Sequence, residues 1–63
     1  MGPWKVLFFD KDGKYLANSK QFAIQFAARH QLYEEDINLG AKKQVLVRSI
    51  AMHWEQIDVV YFI

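Results

Sequence analysis

AKKQVLVRSIAMHWEQ, residues 41 to 56, decides the fold, because the same letters fit two periodicities in part. On a helix, Leu46, Val47, Ile50, Ala51 and Trp54 fall within one arc of roughly 140°, with Lys42, Ser49, His53 and Glu55 outside it. On a strand, Arg48 interrupts one alternating set of apolar residues, and Ser49 and His53 interrupt the other. The spacing therefore predicts a helix over residues 41–56, with Gly40 as the break before it. Val45, Val47 and Ile50 pull the other way. Their branched side chains favour extended backbone, so VLVRSI also reads as a strand.

Upstream, WKVLFFD (residues 4 to 10) is rich in Val and aromatics and runs into Asp12-Gly13, the pair that a tight hairpin demands. A two-residue turn there would pair Lys11 with Lys14, Asp10 with Tyr15, Phe9 with Leu16 and Phe8 with Ala17. Alternation puts Trp4, Val6 and Phe8 on one face and Leu7 and Phe9 on the other. A strand apolar on both faces belongs in the middle of a sheet. KQFAIQFAARHQL, capped by Asn18 or Ser19, reads as a helix presenting Phe22, Ala23, Phe26, Ala27 and His30 on one side. The closing IDVVYFI reads as a buried strand. The expected fold is one α+β domain over residues 1–63: a small three-stranded antiparallel or mixed sheet with two helices on one face, in the order β-β-α-α-β.

Composition narrows the chemistry. There is no cysteine, which excludes disulfides and thiolate zinc sites. His30 and His53 stand far apart without a second ligand at metal spacing, so neither a metal nor another cofactor is expected. Eight Lys plus Arg against seven Asp plus Glu leave a net charge of +1, too balanced for an electrostatic footprint on DNA. A hydrophobic fraction of 52% argues for a folded chain, and no apolar run is long enough to span a bilayer, so a cytoplasmic protein is expected.

KVLFFDKDGKYLANS carries the sharpest motif, and it resembles the first motif of haloacid-dehalogenase-type phosphatases. The resemblance implies Asp10 as the nucleophile toward phosphorus, Asp12 as general acid and base, and a bound Mg²⁺. Lys14 stands where that family has threonine. The same letters also make a hairpin tip, with Asp and Gly for the turn and lysines for solubility, and this is the reading preferred on the residues. Lys42 and Lys43, placed at the start of the expected second helix, are candidate anion ligands for a phosphate, a nucleic-acid backbone or a partner's carboxylate. Glu34, Glu35 and Asp36 just upstream can neutralise them instead.

With two helices on one face, the aromatic residues of the outer strands lack a cover on the other. The expectation is a non-enzymatic interaction module of the adaptor or inhibitor type, joining a second copy or another protein through an aromatic sheet face or a strand edge. Trp4, Phe8, Phe9, Trp54, Tyr61 and Phe62 are the candidate interface residues. A phosphatase relic built on Asp10 and Asp12, and a nucleic-acid binder built on Lys42 and Lys43, are the alternatives.

Overall fold

The computed structural model describes residues 2–63. The chain runs β1 (Trp4–Phe9), β2 (Tyr15–Asn18), α1 (Gln25–Leu32), β3 (Lys43–Ile50) and β4 (His53–Tyr61). The four strands form one sheet in the order β2-β1-β3-β4, with every neighbouring pair antiparallel. The order is thus β-β-α-β-β, with four strands and one helix where three strands and two helices were expected.

The correction falls on residues 41–56, and its cause is geometric. Val45, Leu46 and Val47 lie beside β1 and are buried; Arg48, still paired with Trp4, is exposed with its guanidinium 5.0 Å from the Trp4 ring centre, and Ser49, Ile50 and the first residues of β4 form an exposed end of the β3–β4 hairpin. Side chains with water on both sides need not alternate. The polar residues that spoil the strand pattern therefore lie where the pattern carries no information. Ala51, which completed the helical arc, is a turn residue: Ala51 (φ 50°) and Met52 (φ 68°) both sit in the left-handed region between Ile50 and His53. A two-residue turn of this hand suits the twist of the strands but is usually built from Asn and Gly.

β1 does lie in the middle of the sheet, as its two apolar faces require. Its hairpin with β2 keeps the expected pairing of Phe8 with Ala17, but Phe9 pairs with Tyr15 and the register shifts by one residue between them. The loop has three residues. The Gly13 amide donates to the Asp10 carbonyl oxygen at 3.0 Å, the Asp10 amide donates to the Lys14 carbonyl oxygen at 2.9 Å, and Gly13 takes φ 83°. Oδ1 of Asp10 accepts the amides of Asp12 and Lys14, both at 2.9 Å, so this carboxylate organises the turn.

The helix buries Ala28 and Leu32 against Trp4, Val6, Phe8, Ala41 and Leu46. It starts later than its sequence pattern suggests and faces another way. Phe22 lies outside it, exchanging backbone hydrogen bonds with Trp4, and Phe26 is 81% exposed. Ser19 does not cap it either: its hydroxyl accepts the Val6 amide at 2.9 Å and donates to the Lys20 carbonyl oxygen at 2.7 Å. Ile24, at the N-cap, supplies no side-chain cap.

What holds the helix is polar. Gln44, fully buried on β3, directs Nε2 at the carbonyl oxygens of Gln31, Leu32 and Glu34 at 3.2, 3.0 and 3.0 Å, while its Oε1 accepts the Asp36 amide at 3.1 Å. The end of a helix leaves its last carbonyls without intrahelical partners; here the Gln31 carbonyl also accepts the Glu34 amide at 3.2 Å, and Gln44 serves the Leu32 carbonyl and that of Glu34 just beyond the helix. On the flank, Arg29 donates to Oδ2 of Asp58 on β4 at 2.7 Å, and Oδ1 of Asp58 accepts the Val59 amide at 2.8 Å. The Arg29 guanidinium, and then the Val59 amide, hold the Asp58 carboxyl below its ordinary range.

Three outcomes follow from these contacts. Gln44→Leu fills the space but strands the Leu32 and Glu34 carbonyls and the Asp36 amide, and is expected to lower stability in urea by about 2–3 kcal/mol. Ala51→Asn together with Met52→Gly relieves the left-handed strain and is expected to raise stability by about 1–2 kcal/mol, seen as a higher melting temperature. Because the folded carboxyl of Asp58 titrates below its unfolded value of about 4, its contribution is present above that pH and disappears as pH falls through the folded value. Wild type and Asp58→Asn should therefore differ in urea midpoint at pH 7 and converge toward pH 2.

Candidate binding face

The sheet has a second face that no helix covers. Alternation from the paired positions assigns to it Lys5, Leu7 and Phe9 of β1, Tyr15 of β2, Lys43, Val45 and Val47 of β3, and Trp54, Gln56, Val59 and Tyr61 of β4. The parity survives along β4 because Ile57 bulges out between Gln56, which pairs with Val47, and Asp58, which pairs with Leu46.

Register then builds a row across all four strands, Tyr15–Phe9–Lys43–Tyr61, about 14 Å wide at the usual strand spacing. Phe9 and Tyr15 meet edge to face with centroids 5.8 Å apart. Nζ of Lys43 lies 5.2 Å from the Phe9 ring centre and 5.9 Å from that of Tyr61. Toward the other end of the face, Nζ of Lys5 lies 4.2 Å above the Trp54 ring. Between the two clusters run Leu7, Val45, Val47 and Val59, of which Val45 and Val47 are buried although no element packs over them. Their neighbours on the same face are Lys5 and Gln56 opposite Val47 and Leu7 and Val59 opposite Val45, and a lysine can lay its methylenes on apolar neighbours while keeping its ammonium in water.

Charge is sorted by face. Of the seven carboxylates, Asp10 and Asp12 lie in the β1–β2 loop, Glu34, Glu35 and Asp36 lie between α1 and β3, and Glu55 and Asp58 pair with Arg48 and Leu46 on the helix side. The strand positions of the open face carry two charges, Lys5 and Lys43, and no acid. A net charge of +1 conceals this arrangement.

The residues singled out by sequence are thereby distributed. Phe9, Trp54 and Tyr61 are on the open face, whereas Trp4 and Phe8 are spent in the core under the helix and Phe62 is half-buried beyond the end of β4. Lys42 and Lys43 do not start a helix: they precede and open β3, so no helix macrodipole acts on them. Lys42 bonds Glu35 at 2.7 Å, the local neutralisation anticipated for it, and only Lys43 reaches the face. Tyr15 and Lys5 escaped notice. Tyr15 is opposite Phe9 only once the loop has three residues, and Lys5 gains meaning only when Trp54 is on a neighbouring part of the same sheet.

Asp10, Asp12, Lys42, Lys43, Tyr61 and Phe62 line an open hollow of about 580 Å³ at the end of the sheet, which brings both motif pairs together. The phosphatase resemblance implies a parallel, doubly wound sheet, and here all strand pairs are antiparallel. Among the described residues no three His, Cys, Asp or Glu side chains converge as a metal ligand set, and no helix is long and apolar enough to cross a membrane. No protein-family model matches the chain, and neither the curated proteins nor the solved structures yield a significant match.

Proposed function

We propose that this chain is a small non-enzymatic binding module whose open sheet face takes an anionic partner with flat apolar groups. One observation carries the reading: four aromatic rings and two ammonium groups share a face on which no strand position holds a carboxylate. Rings without charges would suit any apolar surface. Rings with lysines alone favour a partner that is negative as well as apolar.

Two features weigh against a second copy as the occupant. Face-to-face dimerisation would enclose four lysines, Lys5 and Lys43 of each copy, in one interface whose strand positions offer no acid to pair them. Dimerisation through the edge of β4 meets the bulge at Ile57 and the carboxylate of Asp58, which already binds the edge amide of Val59. The Asp10 carboxylate accepts two loop amides through one oxygen, which supports a structural role for the Asp-Lys-Asp-Gly stretch.

The test is retention on a sulfated-polysaccharide matrix at low salt. Wild type is expected to be retained, and Lys5→Glu with Lys43→Glu to flow through while keeping the wild-type circular dichroism spectrum. Lys14→Glu with Lys20→Glu makes the same change in net charge away from the face and should still be retained. Equal loss in both double variants would assign retention to net charge and overturn the reading.

A further inference from the structure

Resting on that reading of the open face, we infer that its ligand is single-stranded nucleic acid, held by bases stacked on Tyr15, Tyr61 and Trp54 with phosphates at Lys43 and Lys5. The three rings are the most accessible of the face, with 50%, 68% and 37% of their surface free for Tyr15, Tyr61 and Trp54. A nucleobase is a flat apolar plate joined to an anion, and it matches a ring with a lysine beside it at either end of the face. Stacking of this kind tolerates any base, since each has a π-face to offer.

The lysines are already placed for the exchange. Each ammonium lies within 6 Å of a ring that a base would cover: 4.2 Å from Trp54 for Lys5 and 5.9 Å from Tyr61 for Lys43. An exposed cation over a ring is held by only about 0.5–1 kcal/mol, so the ammonium can turn to a phosphate at little cost while its ring receives the base. Lys43 stands in the row between Phe9 and Tyr61, and Lys5 is four residues along β1 from Phe9, about 13 Å away in an extended strand. That reach suits a short stretch, on the order of four nucleotides.

A duplex fits poorly, because its bases are stacked on one another and offer the rings no free face, and the end of the β3–β4 hairpin that projects past β1 carries no lysine or arginine beyond Arg48. An acidic peptide shares the charge but brings no plate for each ring. One carboxylate opposes the ligand: Asp12 lines the hollow with Lys43 and Tyr61, and, unlike Asp10, it makes no hydrogen bond to the loop through its side chain among the described residues.

The experiment is fluorescence anisotropy with a labelled twelve-nucleotide oligothymidylate, against a duplex of equal length and a polyglutamate peptide. The single strand is expected to bind more tightly than both, with a log–log salt slope of about −1.4, from about 0.7 per phosphate for two lysines. Tyr61→Ala should weaken it about tenfold, Lys43→Gln should remove about 0.7 from the slope, and Asp12→Asn should tighten binding. Both residues are exposed enough for Tyr61→Ala and Asp12→Asn to keep the fold, which circular dichroism verifies. Single strand, duplex and peptide binding alike, or binding indifferent to Tyr61→Ala, would overturn the inference while face-dependent retention on the polyanion matrix still upheld the module. Loss of that dependence as well would overturn both.

Discussion

The side-chain amide of Gln44 is the contact on which the architecture rests. A helix of eight residues is too short to persist alone, and this one begins at Ile24 without a side-chain cap. Gln44 supplies from the neighbouring strand the hydrogen bonds that its carboxyl end lacks, and Arg29 ties its flank to Asp58 on β4. Between those polar ties Ala28 and Leu32 settle on Trp4, Val6, Phe8 and Leu46. The helix is thereby committed to one side of the sheet, and the other side is left to the side chains of the strands themselves.

On that side the chain solves an economy problem of small domains. A protein of 63 residues has one short helix to spend, and it cannot bury both faces of a four-stranded sheet with regular structure. Instead Val45 and Val47 are buried among the side chains of their own face, where Lys5 and Lys43 lie over aromatic rings. The same arrangement that keeps water from the valines sets rings and ammonium groups side by side. On the proposed reading, stability and recognition draw on one set of residues.

How far this was legible in the sequence depended on whether neighbours or solvent set the pattern. β1 could be placed because both its faces are packed, and its aromatic and branched residues leave one arrangement. Residues 41–56 misled because Ser49 and His53 project from the free end of a hairpin while Arg48 lies exposed over the Trp4 ring, and because Ala51 and Met52 make a turn without the Asn or Gly that usually announces one. The helix was found, but its buried side was not: Phe26 stays in water while the smaller Ala28 packs, an inversion of the rule that the largest apolar residues go inside. Of the face, Phe9, Trp54 and Tyr61 were visible by type. Tyr15 was hidden by a single-residue shift in register, and the absence of acids by the fact that net charge has no direction.

Direction is what the sorted charges add. On the helix side Arg29 offsets Asp58, Arg48 stands opposite Glu55 and Lys42 offsets Glu35, so the excess of acid there rests on Glu34 and Asp36; set against Lys5 and Lys43 on the open face, it gives the molecule an electric dipole across the sheet. A nearly neutral body feels little net pull from a distant polyanion, yet its dipole feels a torque in the field. On the proposed reading, approach to a polyanion would begin with rotation, so that the aromatic surface is turned toward the anion before contact is made. Encounters with the opposite side would then be unproductive, and orientation would discriminate among such partners before any ring is covered.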